Sequence, residues 1–309
     1  MGGRKLLDRM WRRLPVLQSA EETAAALLAA LPGEDRGGAQ ALALRLQAQP
    51  AALGPAIDEL LASPATLQRH VPPMLGRWLG ADPHNDLFVS LGTHCFTASL
   101  LRRWGLRSAS GPFDWLFSSA AMVTHCIEDD FRAFLDREQY APVPPELRRD
   151  GADVNRTNHR LYQQMFGIEF IFNHHDPHED PTHAHFKRCA DRFRAALRDT
   201  RRKFFILHRT RSEGPLDDLH ALHEALAQRC TNFCLFVFET PPALPTPTPS
   251  PMLRPLIDAP TLKVCEFRPC SAWGPLQFED LLDEHTLLRY VLMGQPTKAG
   301  ADQAMRFCL

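Results

Sequence analysis

Several features that would place this chain in a specialised class are missing from its sequence. No apolar run approaches the roughly 20 residues that a membrane-spanning helix requires. The basic start, residues 1–17, has no continuous apolar core and no small-residue cleavage site, so we expect no secretory signal. The 35 lysines and arginines nearly balance the 36 acidic residues. A formal net charge of -1 gives no general attraction to nucleic acid, and we expect none as a partner.

The eight cysteines also lack the arrangement of a disulfide-stapled scaffold. They are scattered over 309 residues, and several lie inside apolar, strand-like runs. We therefore expect reduced thiols and a cytoplasmic location. A hydrophobic content of 44% is ample for a core, and the length predicts either one large α/β domain with an appendage or two domains.

Two regions differ in their hydrophobic pattern. Residues 19–80 are rich in Ala and Leu at helical spacing, which predicts a helical N-terminal region over residues 1–80. This region carries no recognisable chemistry. It is either an interaction surface for a protein partner or a remnant of helical repeats. Residues 81–309 form the second predicted region, in which strands alternate with helices.

The second region has the pattern of an α/β domain. Its predicted strands are Leu87–Leu91, Ile168–Phe172, Lys203–Leu207, Phe233–Phe238 and Leu262–Phe267, and its predicted helices are Cys95–Trp104, Ser119–Leu135, His185–Thr200 and Leu216–Cys230. Near-continuous apolar strands separated by helices are typical of a parallel sheet covered on both faces. We predict a three-layer, Rossmann-like sandwich. The prolines between Phe238 and Leu262 predict a surface loop without regular structure.

A strand, a glycine and a cysteine at the start of a helix form the first candidate site. Cys95 stands three residues after Gly92, where the helix N-terminus would favour the thiolate and supply backbone donors for an oxyanion. A phosphatase loop is excluded because Leu101 replaces the required Arg, and a dinucleotide fingerprint is excluded because Gly92 lacks companion glycines. The alternative, an inert packing thiol, stays open.

The segment after the Cys95 helix carries an acid between two aromatic residues. Asp114 lies between Phe113 and Trp115, just after a turn at Pro112. It is either a buried carboxylate that orients a catalytic His or a turn cap in an aromatic plug.

A histidine-rich loop follows the predicted strand that ends at Phe172. Its histidines are His174, His175, His178, His183 and His185. Either His174 or His175 at the strand end could act as general base for Cys95. The other interpretations are a divalent metal site, although the spacing matches no established motif, and a solvated loop.

Other polar residues are predicted at the carboxyl ends of the strands, where open α/β sheets bind ligands. The candidates for substrate binding at these strand ends are Thr93, His94, His208 and Arg209, and Trp115 beside Asp114 is a further candidate. A basic helix face that includes Arg188 and Arg192 is ordinarily a solvated surface.

The quoted residues resemble a known family. The string SLGTHCFTASLLRRWGLRSASGPFDWLFSS, the later HHD, and the segments HFKRCADRFRAAL and KFFILHRT resemble a bacterial family of unknown function labelled papain-like cysteine peptidases. The resemblance covers roughly residues 86–290. It implies that Cys95 is the nucleophile and His175 the base, with Asp176 beside it and Asp114 from the PFDW element. A papain fold would imply a mostly antiparallel sheet, but the hydrophobic pattern favours parallel strands.

These observations favour a cysteine-dependent hydrolase or acyl-transfer enzyme that acts on a peptide or another acyl compound. Cys95 would attack the carbonyl, and backbone N–H groups near residues 94–96 would hold the oxyanion. We expect no cofactor and no metal in this reaction. One alternative is a Rossmann-like transferase or a nucleotide- or glycan-handling protein in which Cys95 is structural. The other is a non-catalytic binding module with a metal in the His-rich loop.

Overall fold

A computed structural model describes residues 81–148, 156–172, 174–211, 213–241, 250–274 and 276–293. The strands are β1 Asp86–Ser90, β2 Tyr140–Pro142, β3 Thr157–His159, β4 Arg202–Thr210, β5 Phe233–Thr240, β6 Met252–Asp258 and β7 Leu262–Arg268. The helices are α1 Phe96–Arg103, α2 Ala120–Glu128, α3 Arg160–Phe166, α4 Asp180–Arg198, α5 Leu216–Arg229 and α6 Leu281–Met293. The predicted helical region over residues 1–80 lies outside the described residues, and the domain boundary at residue 81 stays a prediction.

A five-stranded, mostly parallel sheet organises the described part of the chain. Its strand order is β1-β4-β5-β7-β6, in which β1, β4, β5 and β7 run parallel and β6 pairs antiparallel with β7. The predicted mixed α/β class with a mainly parallel sheet is therefore confirmed. The Rossmann-like three-layer description stays a prediction. No helix among the described residues is long and apolar enough to cross a membrane.

Alternate residues of the central strands pack into two separate hydrophobic clusters. Phe205 and Leu207 of β4 pack with side chains of α2, α4 and α5. Phe204 and Ile206 of the same strand pack with side chains of α1 and α6. Successive side chains of a strand point to opposite faces, so helices cover β4 on both sides. The near-continuous apolar pattern of the strand reflects this double burial.

The predicted strand Ile168–Phe172 is wrong. Phe170 has φ +55, a left-handed conformation that interrupts an extended chain, and its N–H donates to the side chain of Asn158. Only Phe172 makes a bridge, to Thr157 beside the small β2–β3 sheet. Ile171 and Phe172 are nevertheless fully buried, which explains the apolar pattern that was mistaken for a strand of the main sheet.

The interpretation of residues 238–262 as a loop without regular structure is also wrong in part. Met252–Asp258 forms β6, the antiparallel edge strand. Pro255 fits there because the pairing with β7 shifts register between Pro255 and Ile257, and an edge strand or bulge tolerates the missing N–H. Residues 242–249 lie outside the described part.

The predicted helices are confirmed with changed limits. Residues Phe96–Arg103 and Leu216–Arg229 agree to within one residue at each end. The predicted helix over Ser119–Leu135 ends at Glu128 because Asp130 and Phe131 both have positive φ. Helix α4 begins at Asp180, five residues earlier than predicted, with Pro181 in its first turn.

Candidate functional site

The turn after β1 sets the position of Cys95. The N–H of Leu91 still donates to the carbonyl of Ile206 in β4, and Gly92 then turns the chain with φ +87. A Cβ on Gly92 would lie 2.2 Å from Oγ of Ser118, so a larger residue has neither the conformation nor the space. Helix α1 starts immediately after Cys95, which is the N-cap residue. The predicted strand-glycine-cysteine-helix unit is thus formed.

Cys95 has a histidine partner. Its Sγ lies 3.4 Å from Nε2 of His174. The thiol side chain is buried, with Cys95 only 4% exposed, whereas His174 is an exposed residue. A thiol within hydrogen-bond reach of an imidazole is the arrangement that nucleophilic catalysis by cysteine requires. The pair thus joins a buried thiol to an exposed imidazole.

Two residues shortly before His174, Ile171 and Phe172, anchor the loop that carries it. The carbonyl of Ile171 accepts a hydrogen bond from the N–H of Phe117, and Phe172 bridges to Thr157. The carbonyl of Thr93 accepts from the N–H of Ser118. Residues 117 and 118 therefore tie the Cys95 loop to the His174 loop through two backbone hydrogen bonds.

The electrostatic surroundings of Cys95 do not favour a thiolate in the free protein. Burial raises the pKa of the thiol, and the charge of Asp114 raises it further, although the backbone N–H of Cys95 acts in the opposite direction. Desolvation therefore outweighs the lowering of this pKa that the helix start was expected to give. A buried thiol that stays protonated needs a base to remove its proton during attack.

Asp114 is a buried carboxylate with a shifted pKa. Burial raises its pKa to about 6, against the attraction of Arg107 and a hydrogen bond from the N–H of Gly111. Nη1 of Arg107 lies 3.3 Å from Oδ2 of Asp114. Asp114 caps the turn at Gly111, and its negative charge also acts on the thiol of Cys95. Among the described contacts none joins Asp114 to a histidine, so its role in orienting a catalytic His stays a prediction.

A line of hydrogen bonds fixes His94, the residue beside Cys95. The N–H of Phe96 donates to Nδ1 of His94, so the ring proton of a neutral His94 is on Nε2. That nitrogen lies 3.2 Å from Nδ1 of His208, whose Nε2 lies 3.4 Å from Oγ1 of Thr240. Burial lowers the pKa of both histidines. His94 is thus held neutral, with its basic nitrogen already occupied, and Phe96 is no free oxyanion donor.

Three of the predicted substrate-binding residues lie beneath the Cys95 loop. Thr93 donates through Oγ1 to the carbonyl of His208 at 2.8 Å, and both residues are buried. Arg209 is 1% exposed and forms a buried ion pair with Glu239. The bond of Thr93 holds the Cys95 turn against the end of β4, and the pair of Arg209 and Glu239 joins β4 to β5.

Among the described contacts, the one between Cys95 and a histidine involves His174, and none joins Cys95 to His175. The ring of His175 lies 6.0 Å from that of His185 and 5.9 Å from that of Phe186. Asp176 accepts hydrogen bonds from Thr157 and from the backbone N–H of His178. Its carboxylate thus holds the loop after His174 in place.

Trp115 lies between two arginines. The guanidinium carbons of Arg102 and Arg107 are 5.3 and 5.6 Å from the centre of its ring. The sequence pattern alone predicts no role for these arginines. Arg102 stands seven residues after Cys95, a spacing that places both on one side of a helix and could have drawn attention to it.

A second thiol with polar neighbours was also not singled out. Sγ of Cys189 lies 3.4 Å from Nε2 of His185 and accepts a hydrogen bond from Arg192 at 3.0 Å. Cys189 is fully buried. The spacing of four residues between His185 and Cys189 on one helix could have predicted the contact. Among the described residues, no group of three or more His, Cys, Asp or Glu side chains is arranged to hold a metal ion.

Comparisons with known proteins agree with the resemblance noted in the sequence. A family model described as "Putative papain-like cysteine peptidase (DUF1796)" matches residues 86–238, a range that contains Cys95, Asp114 and His174. "Uncharacterized protein R408" of Acanthamoeba polyphaga mimivirus is 28% identical over 137 residues, which are 40% of this chain and 61% of the viral protein. The chain thus spans less than two thirds of the length of this relative. A viral relative does not support the bacterial restriction of the resemblance.

No solved structure matches the chain. The family assignment therefore depends on sequence, and the mostly parallel sheet is a finding of the present structure. Residues 86–238 are thus similar to the family described as putative papain-like cysteine peptidases.

Proposed function

We propose that the chain is a cysteine-dependent peptidase in which Cys95 is the nucleophile and His174 is the general base. The observation that carries this proposal is the distance of 3.4 Å between Sγ of Cys95 and Nε2 of His174 at the edge of a buried turn. The family match supports the same reaction class.

The raised pKa of the Cys95 thiol determines the first step. As Sγ attacks the carbonyl carbon of the peptide bond, its proton moves to Nε2 of His174 and the carbonyl π electrons move to the oxygen. The tetrahedral intermediate collapses, the C–N bond breaks, and the imidazolium protonates the leaving amine. Water then hydrolyses the thioester with His174 again as base, which restores the thiol. His94 is a poor base for this step because its Nδ1 already accepts the N–H of Phe96.

The surroundings of the pair assign supporting roles to other residues. Asp114 modulates the thiol through its charge, and Asp176 fixes the loop that carries His174. Thr93 and His208 hold the Cys95 turn against β4. We favour this function over a transferase in which His208 and Arg209 bind an anionic group, because both side chains are buried and hydrogen-bonded.

Trapping of the acyl-enzyme tests the proposal. The unaltered chain is mixed with a peptide library derived from a digested proteome, and cleavage is followed by mass spectrometry of the products and of the intact protein. We expect cleavage and a mass increase located on Cys95. Cys95→Ala should abolish both signals, and Cys189→Ser serves as the matched control that retains them. Cleavage that survives in Cys95→Ala, or the absence of any cleavage, would overturn the assignment.

A further inference from the structure

Four arginines surround the side of the candidate site that faces α4. The arginine cluster consists of Arg102, Arg107, Arg188 and Arg192. Arg107 donates to Oγ of Ser110 at 2.7 Å and Arg192 donates to the carbonyl of the same residue at 2.9 Å, so both guanidinium groups meet at Ser110. Arg102 and Arg107 flank the ring of Trp115. Arg188 precedes Cys189, the residue to which Arg192 donates.

The arginine cluster adjoins the Cys95–His174 pair on two paths. Arg102 lies two helical turns after Cys95 on the same side of α1. Arg107 contacts Asp114, whose charge acts on the thiol of Cys95. On the other path, the ring of His185 lies 6.0 Å from that of His175, the direct neighbour of His174.

The cluster carries more positive charge than its surroundings neutralise. Among the described residues, its ion pair is the one between Arg107 and Asp114, and Asp114 itself has a pKa of about 6. Burial lowers the pKa of His185, and the charges of Arg192, Arg188 and Arg107 lower it further. Three guanidinium groups thus act on the same imidazole. Arg102 and Arg188 are exposed. A surplus of fixed positive charge beside the Cys95–His174 pair attracts anionic ligands.

We propose that the arginine cluster binds a carboxylate of the peptide substrate, so that the chain prefers acidic peptides; this inference rests on the proposed peptidase function. The planar guanidinium group matches a carboxylate with two parallel hydrogen bonds, and a partly buried cluster is screened less by salt than an isolated surface charge. The carboxylate comes from an Asp or Glu side chain or from the C-terminus of the peptide. Both sources present the same group.

Binding to the Cys95→Ala chain tests the preference separately from cleavage. Fluorescently labelled peptides of equal length are compared by anisotropy: one with Glu and an amidated C-terminus, one with Gln and an amidated C-terminus, and one with Gln and a free C-terminal carboxylate. We expect one or both carboxylate peptides to bind about tenfold more tightly than the neutral peptide. The tighter of the two identifies the source of the carboxylate. Added salt should reduce the preference.

Exposed arginines allow a variant that leaves the fold intact. In a Cys95→Ala background, Arg102→Gln with Arg188→Gln should reduce the preference to threefold or less, an approximate limit set by loss of two charge-assisted contacts. Arg160→Gln with Arg198→Gln removes the same charge from exposed positions on α3 and α4, and should retain the preference. Equal binding of all three peptides, or a preference that survives the first pair, would overturn the inference. Selective binding without any cleavage by the unaltered chain would support a carboxylate site and reject the peptidase instead.

Discussion

Sγ of Cys95 and Nε2 of His174 lie 3.4 Å apart although 79 residues separate them in the chain. The contact joins a turn of the main sheet to a loop that leaves the small β2–β3 sheet. Backbone hydrogen bonds at Phe117 and Ser118 connect the two segments. The functional consequence of this geometry is that His174, and not a neighbouring histidine, should control the chemistry of the thiol.

Three histidine variants check that assignment. A positioned general base contributes about 10²- to 10⁴-fold to a rate, so His174→Ala should lower kcat/KM for a cleaved peptide by that range. His175→Ala and His94→Ala should each retain activity within about tenfold, because the ring of His175 packs on His185 and the basic nitrogen of His94 accepts the N–H of Phe96. A large loss in His175→Ala together with an active His174→Ala would reverse the roles.

Asp114 should restrain the reactivity of Cys95. Its negative charge adds to burial in raising the pKa of the thiol, so Asp114→Asn should lower that pKa and increase the rate of alkylation at pH 7 severalfold. The rate is measured by iodoacetamide labelling across pH, with peptide mapping to isolate Cys95. Asp176→Asn is the matched control, since Asp176 is bonded to Thr157 and His178, and its labelling profile should equal that of the unaltered chain.

The same carboxylate should affect stability in a defined pH window. The pKa of Asp114 is about 6 in the folded chain against an ordinary value of 3.8, so the folded state binds this proton more tightly than the unfolded state. The stabilisation of the folded state by this bound proton is fully present below pH 3.8 and is lost as pH rises through about 6. The effect amounts to ~2 to 3 kcal/mol at most.

Urea unfolding at several pH values checks this prediction. Asp114→Asn should flatten the dependence of the free energy of unfolding on pH between about 4 and 7 relative to the unaltered chain. Arg107→Gln gives a second comparison, because loss of the nearby cation should raise the pKa of Asp114 and move the window upward. An identical pH dependence in the unaltered chain and Asp114→Asn would contradict the assignment.

The sequence predicts the Cys95 unit because all its determinants are local. Gly92, the apolar strand before it and the helix after it all lie within residues 86–103, and their order allows few conformations. The choice between His174 and His175 depends instead on how their loop is anchored to Phe117 and Thr157, and these tertiary contacts cannot be read from an apolar run. The same apolar run suggested a strand, because buried residues outside a sheet give the same pattern.

Tertiary pairing also explains what the sequence did not predict. Strand β6 contains Pro255 and is stable only as the edge partner of β7. The arginine cluster is assembled from α1, the loop that follows it and α4, so no sequence spacing reveals it. His208 and Arg209 were correctly expected at the end of a strand, but their burial follows from the residues that cover them.

The buried pair between Arg209 and Glu239 should contribute strongly to the fold beneath the site. Nε of Arg209 lies 3.0 Å from Oε1 of Glu239, and the two residues are 1% and 2% exposed. Glu239→Gln leaves an uncompensated charge inside the chain and should reduce the free energy of unfolding by about 3 kcal/mol.

An exposed ion pair of the same chemistry is the control for that variant. Arg137 and Asp180 lie 2.6 Å apart, with side chains 46% and 87% exposed. Arg137→Gln should change the free energy of unfolding by less than about 1 kcal/mol, because solvent screens the pair. Denaturant titration of both variants is the measurement, and equal effects would contradict the role assigned to burial.

Gly92 should be the most sensitive position of the Cys95 turn. Gly92→Ala requires φ +87 from an alanine and also places a Cβ 2.2 Å from Oγ of Ser118, so we expect a loss of about 3 kcal/mol in the free energy of unfolding. Gly167→Ala imposes a similar conformation, φ +66, with no atom within 4 Å, and should cost only about 1 kcal/mol. The difference between the two losses of stability measures the clash between the added Cβ and Ser118.

A second substitution should recover the stability that is lost to this clash. Oγ of Ser118 has no hydrogen-bond partner among the described residues, so Ser118→Ala removes the clashing atom at little expense. The combined variant Gly92→Ala with Ser118→Ala should recover about 1 to 2 kcal/mol of stability and part of the alkylation rate of Cys95. Strictly additive losses in the two single variants and the double variant would mean that the contact between residues 92 and 118 does not set the turn that positions the nucleophile.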